Sequence, residues 1–167
     1  MTTKKIVYGA LLTALALIIP ISFGGYLRIY IPPFSATLAS HVPVFLSMLL
    51  GPLTAFMVGV GSTVGFLMVF DAVIAARAAV HILVGTVGAL LIQQGRLKFE
   101  TTLFAVLPIH AVGEALIVIP FGFTLHYAGV VVGVGTALHH IMDAVIAITI
   151  YRLLVSAGIL RSTGPGR

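Results

Sequence analysis

The chain has 167 residues, of which 60% are hydrophobic and only 8% are charged. A soluble domain carries about 25% charged residues, so this composition excludes a soluble globular protein and indicates an integral membrane protein. The formal net charge is +5, but the basic residues are scattered singly or in pairs, which argues against a nucleic-acid partner. The sequence contains no Cys, which excludes disulfides, thiolate metal sites and a cysteine nucleophile.

The sequence predicts an all-α membrane bundle of six transmembrane helices within one domain, residues 1–167. A spanning helix needs about 20 predominantly apolar residues, and apolar stretches recur along the whole chain. In chain order, the predicted spans cover residues 6–23, 37–50, 53–70, 71–93, 102–119 and 127–155.

Glycine, proline and polar residues mark the breaks between these spans. The segment 25–37 contains Pro32-Pro33 and predicts an irregular outer loop, whereas Gly51-Pro52 separates the second and third spans. The second span is short, at about 21 Å. A basic start before an apolar core also resembles a signal peptide, but no small-x-small cleavage pattern follows it, which favours an uncleaved span. The tail 162–167 is expected to be disordered.

The distribution of basic residues predicts the orientation in the membrane. Six spans place both termini on one side, leaving Arg28 in an outer loop and Arg77 inside a span. The positive-inside rule then places both termini in the cytoplasm. The basic residues on that side are Lys4, Lys5, Arg96, Lys98, Arg152, Arg161 and Arg167.

Polar side chains inside the C-terminal spans occur as three i,i+4 pairs, each on one face of its helix. Such residues are costly in lipid and usually face the bundle interior, paired or functional. Depths from the helical rise predict an outer layer of Arg77 and Glu114 above an inner layer of histidines. The pattern predicts an outward-opening polar pocket; the alternative is that the groups only pair with one another and lock the helices together. The pairs are Arg77 and His81, His110 and Glu114, and His139 and Asp143.

The remaining polar residues of the spans have simpler interpretations. Asp143 lies deeper than the two layers, which favours a structural role. His140 points about 100° away from His139 and is interpreted as a core histidine. His41 and His126 lie near the outer ends of their spans, where partly solvated histidine is unremarkable.

Catalytic and metal motifs are weak. His81, His110, His139 and Glu114 could form a set of metal ligands, but no HExxH or close His-x-His spacing occurs, so no metal or cofactor is predicted. The sequence also lacks a nucleophile elbow and a phosphate-binding loop. We therefore predict a protein that is not an enzyme; a metal-ion-binding transport subunit and an intramembrane metallo-hydrolase remain as alternatives.

Small residues recur at a spacing that lets membrane helices approach closely. The pairs are Ala10 and Ala14, Gly61 and Gly65, and Gly129 and Gly133. For the two glycine pairs this spacing predicts packing within the bundle.

The chain resembles, over nearly its whole length, the substrate-binding S components of energy-coupling factor (ECF) vitamin transporters. The resemblance rests on the length, the six spans, the long first outer loop and Ala10-Leu-Leu-Thr-Ala14. That motif matches the Ala-x-x-x-Ala signature on the family's first helix. The stretch from Ala39-Ser-His-Val-Pro43 through Gly51-Pro-Leu-Thr to Gly65-Phe resembles the branch for niacin, hydroxymethylpyrimidine, pyridoxine and similar heteroaromatic vitamins.

The resemblance implies a protein of a bacterial plasma membrane with several protein partners. Ala10 and Ala14 would face a transmembrane coupling subunit, and two separate ATPase subunits would hydrolyse ATP. The substrate would occupy an outward pocket walled by spans four to six and capped by the loops 25–35 and 70–71.

The polar layers agree with such a pocket and suggest its chemistry. The expected substrate-binding residues are Arg77, His81, His110, Glu114 and His139. Arg77 could hold the carboxylate of nicotinate as a bidentate pair, whereas Glu114 could accept from an aminopyrimidine or pyridoxine. Lid candidates from the first outer loop, which could equally form an interfacial belt, are Tyr26, Tyr30 and Phe34.

Overall fold

The computed structural model describes residues 2–164, which are mostly helical. Five helices in this part of the chain are long and apolar enough to cross a membrane, which agrees with the predicted all-α membrane class. They are α1 (Thr3–Phe23), α3 (Pro52–Val69), α4 (Ala72–Gln93), α5 (Phe99–Ile117) and α6 (Leu125–Ser156); between α1 and α3 lies the short helix α2 (Val42–Ser47).

Local sequence explains where α3 and α4 begin. Gly51 has a φ of 111°, a conformation that glycine adopts without steric cost, and Pro52 then starts α3. Asp71 caps α4, because its carboxylate accepts a hydrogen bond from the backbone N–H of Ile74 at 2.9 Å. The predicted spans 53–70 and 71–93 therefore agree with α3 and α4 to within one residue.

A β-hairpin replaces the predicted irregular loop after α1. Strand β1 (Arg28–Ile31) pairs antiparallel with β2 (Phe34–Thr37), and the two prolines occupy the turn between them. β1 is mostly exposed, whereas β2 is mostly buried against the bundle. The predicted irregular loop is therefore wrong for 28–37, because the two prolines interrupt the strands only at the turn.

The predicted span 37–50 is not a continuous helix. It contains the six-residue α2 and one further 3-10 turn, Met48–Leu50. The backbone N–H groups of Ala39 and His41 donate to the carboxylate of Asp143 on α6 at 2.7 and 2.9 Å. Irregular backbone within a membrane is tolerated where the protein buries it and provides hydrogen-bond partners. Asp143 is the partner for two backbone N–H groups of this segment.

The two ends of the described chain lie at the same end of the bundle. Lys5 shares a cavity with Gly51 and Gln93, and Tyr8 shares another with Leu154. The chain therefore returns to the end where it started after α2, after α4 and after α6. The hairpin lies at the opposite end.

The segment after α6 folds back onto the bundle as far as the structure describes it. The hydroxyl oxygen of Thr163 accepts from the backbone N–H of Phe99 at 2.8 Å, and the backbone N–H of Thr163 donates to the hydroxyl of Tyr151 at 2.8 Å. These bonds correct the expectation of disorder for 162–164. Residues 165–167, including Arg167 with its predicted cytoplasmic location, lie outside the described residues.

Glycines allow α1 and α3 to pack closely. A Cβ atom added at Gly61 would lie 2.6 Å from Cγ2 of Thr13, and one added at Gly65 would overlap the side chain of Leu17. This confirms the predicted packing role of the pair on α3. Gly129 differs, because an added Cβ would meet no atom of the described residues within 4 Å.

Candidate substrate-binding site

A buried ion pair between α4 and α5 forms the centre of a polar cluster. Nε and Nη2 of Arg77 donate to Oε2 of Glu114 at 2.9 and 2.6 Å. The hydroxyl of Thr136, on α6, donates to the same oxygen at 2.6 Å. Because all three side chains are buried, each charge depends on these partners rather than on water. The sequence predicted Arg77 and Glu114 at one depth, but gave no signal for Thr136.

Five histidines form a connected group beside this ion pair, and two of them contact Glu114. Nε2 of His81 and Nε2 of His110 lie 3.4 and 3.2 Å from Oε1 of Glu114. Contacting rings have centroids between 4.3 and 5.1 Å apart. The predicted outer and inner layers are thus in direct contact. The five are His41, His81, His110, His139 and His140.

His41 is the member of the cluster that sequence reasoning missed. We expected it to be partly solvated, but it is buried, with 5% of its surface exposed, and its ring contacts those of His81, His110 and His139. The reason is that α2 begins inside the bundle, where the buried carboxylate of Asp143 accepts from the backbone of the turn before it. No local motif signals this, because the position depends on Asp143, far away in sequence.

His140 and Asp143 hold neighbouring groups of the cluster in place. The sequence predicted a structural role for Asp143 and a core position for His140, but not the contact of His140 with His110. Nε2 of His140 lies 2.8 Å from the carbonyl oxygen of Leu103, and its Nδ1 lies 2.8 Å from Nδ1 of His110. Asp143 lies 3.2 Å from Nε2 of His139, which confirms that i,i+4 pair. Its contacts to the turn before α2 give it a structural role.

The hairpin lies directly over Arg77. Nη1 of Arg77 donates to the carbonyl oxygen of Pro33 at 3.0 Å, and Nη1 and Nη2 both lie 3.4 Å from the carbonyl oxygen of Ser35. A third contact joins Nε2 of His139 to the carbonyl oxygen of Thr37 at 3.0 Å. The hairpin is therefore attached to the cluster through its backbone carbonyls.

The three aromatic lid candidates occupy different places. Phe34 is buried, with its ring 5.2 Å from the guanidinium of Arg77. Gly135 on α6 leaves room for that ring, since an added Cβ would lie 2.9 Å from it. Tyr26 and Tyr30 are exposed by 74% and 54% and lie away from the cluster.

A cavity of about 50 Å³ lies between the cluster and α1. Its polar side includes three of the predicted substrate-binding residues, while α1 and α3 contribute apolar residues to the opposite side. Of the predicted walls, α4, α5 and the first outer loop line this cavity, whereas α6 and the 70–71 loop do not; α1 and α3 complete it. The lining residues are Pro20, Ser35, Thr37, Ser40, His41, Phe66, Ile74, Arg77, Ala78, His81 and Glu114.

The predicted docking residues lie on the outer surface of α1. Ala10 and Ala14 are exposed, whereas Gly9, Ala16 and Pro20 on the other face are buried. The small side chains of the exposed face leave a shallow surface that another helix can approach closely.

The cluster also presents atoms that could hold a metal ion. One ring nitrogen from each of His41, His81 and His110 and one oxygen of Glu114 all lie within 4.8 Å of one another. A second group, His41 with His139 and Asp143, meets the same distance.

The fold and the site define a multi-pass membrane protein with a buried polar cluster beneath a hairpin. No family model matches the sequence, and no solved structure matches it. The chain is 29% identical over 171 residues to the niacin transporter NiaX of Lactococcus lactis subsp. cremoris (strain MG1363), an alignment that covers 92% of this chain and 76% of that protein.

This similarity confirms the resemblance to niacin-type S components that the sequence predicted. That relative is a transport protein, which agrees with the predicted non-enzymatic transport role and favours it over the metallo-hydrolase alternative. The relative is bacterial, in agreement with the predicted location in a bacterial membrane.

Proposed function

We propose that the protein captures a small heteroaromatic vitamin of the niacin class at the outer side of the plasma membrane, as the S component of an ECF-type importer. The observation that carries this proposal is the buried guanidinium of Arg77, with donors directed at the hairpin and a cavity beside it. The similarity to a niacin transporter supports the vitamin class. A transmembrane coupling subunit and two ATPase subunits would supply the energy.

Substrate recognition would exchange hairpin contacts for contacts to the vitamin. A carboxylate is a stronger acceptor for a guanidinium than a peptide carbonyl, so nicotinate could take over the Arg77 donors that now reach Pro33 and Ser35. Histidine can donate or accept, so His81 could pair with the ring nitrogen. Hydroxymethylpyrimidine and pyridoxine lack the carboxylate and would depend on Glu114 instead.

We propose that the hairpin acts as a lid. A water molecule needs about 10–15 Å³ of such a cavity, so about 50 Å³ holds a few waters and is tight for a heteroaromatic ring. Movement of the hairpin residues Ser35 and Thr37, which line the cavity, away from Arg77 would enlarge it. Tyr26 and Tyr30, on the exposed side of the hairpin, would remain at the membrane interface.

We infer that both termini face the cytoplasm and that the chain crosses the membrane six times, with α2 and its flanking turns as the second crossing. The excess of basic residues at the end that holds Lys5 and Gln93 supports this orientation. The return of the chain to that end after α2 supports the even number of crossings.

Titration calorimetry on the detergent-purified protein tests the substrate class. We expect nicotinate to bind, and nicotinamide to bind at least tenfold more weakly, about 1.4 kcal/mol, because the uncharged amide loses the charge-assisted bond to Arg77. Pyridoxine and hydroxymethylpyrimidine serve as comparison ligands without a carboxylate. If none of the four compounds binds, the proposed function is wrong; stronger binding of an uncharged compound would reassign recognition to Glu114.

Bulky substitutions on α1 should separate binding from uptake. We expect Ala10→Leu and Ala14→Leu to leave nicotinate affinity within twofold but to lower uptake into cells at least tenfold, because the larger side chains hold the coupling subunit away. Ala105→Leu, at an exposed position of α5, is the matched control and should transport normally. Normal uptake by both α1 variants would contradict docking at this face.

A further inference from the structure

We propose that His41, His81, His110 and Glu114 form a binding site for one divalent transition-metal ion of the zinc type. Their ligand atoms lie within 4.8 Å of one another, and all four side chains are buried. Three imidazole nitrogens and one carboxylate oxygen are a donor set typical of zinc. The ligands come from α5, α4 and the turn before α2, so no local sequence motif reveals them.

The distances around Oε1 of Glu114 fit ligands of a shared ion. Nε2 of His110 and Nε2 of His81 lie 3.2 and 3.4 Å from that oxygen. In a tetrahedral site with bonds of about 2.0–2.1 Å, neighbouring ligand atoms are about 3.3 Å apart. A strong charge-assisted hydrogen bond would be shorter, at about 2.7–2.9 Å.

The hydrogen bonds of His110 and His140 leave Nε2 of His110 without a proton, so that its lone pair faces Oε1 of Glu114. Nε2 of His140 must donate to the carbonyl oxygen of Leu103, because that oxygen can only accept. In a neutral His140, Nδ1 is then the acceptor, so Nδ1 of His110 carries the proton of their shared bond. A neutral His110 therefore turns an unprotonated Nε2 towards the carboxylate oxygen. A cation between Nε2 of His110 and the carboxylate oxygen would remove the repulsion between their lone pairs.

One further ring nitrogen supports an ion at this oxygen rather than one extra proton. Within residues 2–164, Nε2 of His81 is buried and makes no hydrogen bond, although Oε1 of Glu114 lies 3.4 Å away. A proton on His110 would leave Nε2 of His81 unsatisfied, whereas a metal ion accepts the lone pairs of both imidazoles. His41 offers a third ring nitrogen within 4.8 Å of these atoms.

The charges in the site link this ion to the proposed substrate, a step that rests on the proposed function. A divalent ion and Arg77 together exceed the charges of Glu114 and Asp143 by one unit. Buried charge is costly unless it is compensated. A monoanionic heteroaromatic carboxylate supplies that compensation, so we expect the ion to strengthen nicotinate binding.

Zn²⁺ retention by the intact, detergent-purified protein tests the site. After treatment with a chelator and reloading with Zn²⁺, we expect about one ion per chain by elemental mass spectrometry after desalting. His81→Gln should lower Zn²⁺ affinity at least tenfold, whereas His126→Gln, at an exposed histidine, should not change it. Equal affinity in the two variants would overturn the proposal.

Co²⁺ substitution gives a readout that needs no variant to fold. We expect intense visible absorption typical of four-coordinate Co²⁺ with nitrogen and oxygen ligands, and its loss when Zn²⁺ is added. Weak absorption, equal to that of the hydrated ion, would overturn the site.

Nicotinate titrations with Zn²⁺ and with chelator separate this inference from the proposed function. Tenfold tighter binding with Zn²⁺ supports the ion as part of the vitamin site. Equal nicotinate affinity with Zn²⁺ and with chelator, together with no retained Zn²⁺, overturns the metal site and leaves the proposed function standing. Retained Zn²⁺ without nicotinate binding supports the metal site and contradicts the proposed function.

Discussion

Arg77→Met is expected to lower the free energy of unfolding by about 3–5 kcal/mol, because removing one partner of a buried ion pair leaves the other charge uncompensated. Glu114, with 2% of its surface exposed, would lose its cationic partner in a site that water does not reach. The matched control is Arg152→Met, whose guanidinium is 71% exposed and lies 3.6 Å from Glu100. A surface pair of this kind contributes about 0–1 kcal/mol. Denaturant unfolding in a constant detergent concentration measures both.

The double variant Arg77→Met, Glu114→Gln separates stability from binding. With neither charge present, we expect it to regain most of the stability that the single variant loses. Nicotinate affinity should nevertheless stay at least tenfold below that of the unmodified protein, about 1.4 kcal/mol. A stable double variant with unchanged affinity would remove both residues from the substrate site.

Asp143→Asn should destabilise the protein by about 3 kcal/mol, because hydrogen bonds to charged acceptors contribute about 1.5–3 kcal/mol each. The carboxylate accepts from two backbone N–H groups at 2.7 and 2.9 Å, and an amide offers only one oxygen. We also expect the segment that carries His41 to exchange backbone hydrogens faster. Unfolding measurements and hydrogen exchange check the two effects.

Asp71→Asn is the matched control for this substitution. Asp71 also accepts a backbone N–H group, from Ile74 at 2.9 Å, but at an exposed helix start. Asparagine caps helices about as well as aspartate, so its effect should stay below about 0.5 kcal/mol. Equal losses of stability in Asp143→Asn and Asp71→Asn would show that the buried hydrogen bonds of Asp143 stabilise the protein no more than an exposed helix cap does.

Sequence patterns predicted the long helices and the pairing of polar residues well, because both depend on near neighbours. Hydrophobic length fixes a membrane helix, and a spacing of four residues places two side chains on one face. Arg77 with His81 and His110 with Glu114 followed directly from that spacing. Counting the helical rise from the ends of the predicted spans also placed Arg77 and Glu114 at the same depth.

The hairpin and α2 could not be predicted in the same way. Their conformation depends on contacts with residues about a hundred positions away, such as that of Ala39 with Asp143. The apolar composition of 37–50 is that of a spanning helix. The turn that places His41 in the cluster could therefore not be predicted from it. Thr136, an ordinary threonine in an apolar helix, gave no signal for its contact with Glu114.

Two backbone carbonyl groups of the hairpin already occupy the hydrogen-bond donors of Arg77 and would compete with any bound anion for them. Any anion that reaches Nη1 of Arg77 must displace the oxygens of Pro33 and Ser35, so affinity reflects the difference between two sets of acceptors rather than the strength of one. The four Cα–Cα steps from Thr37 to His41 span at most about 14 Å, so a displaced hairpin pulls on His41. If the hairpin is the lid that we propose, weakening these contacts should speed both the binding and the release of the ligand, because both require the same carbonyl contacts to break.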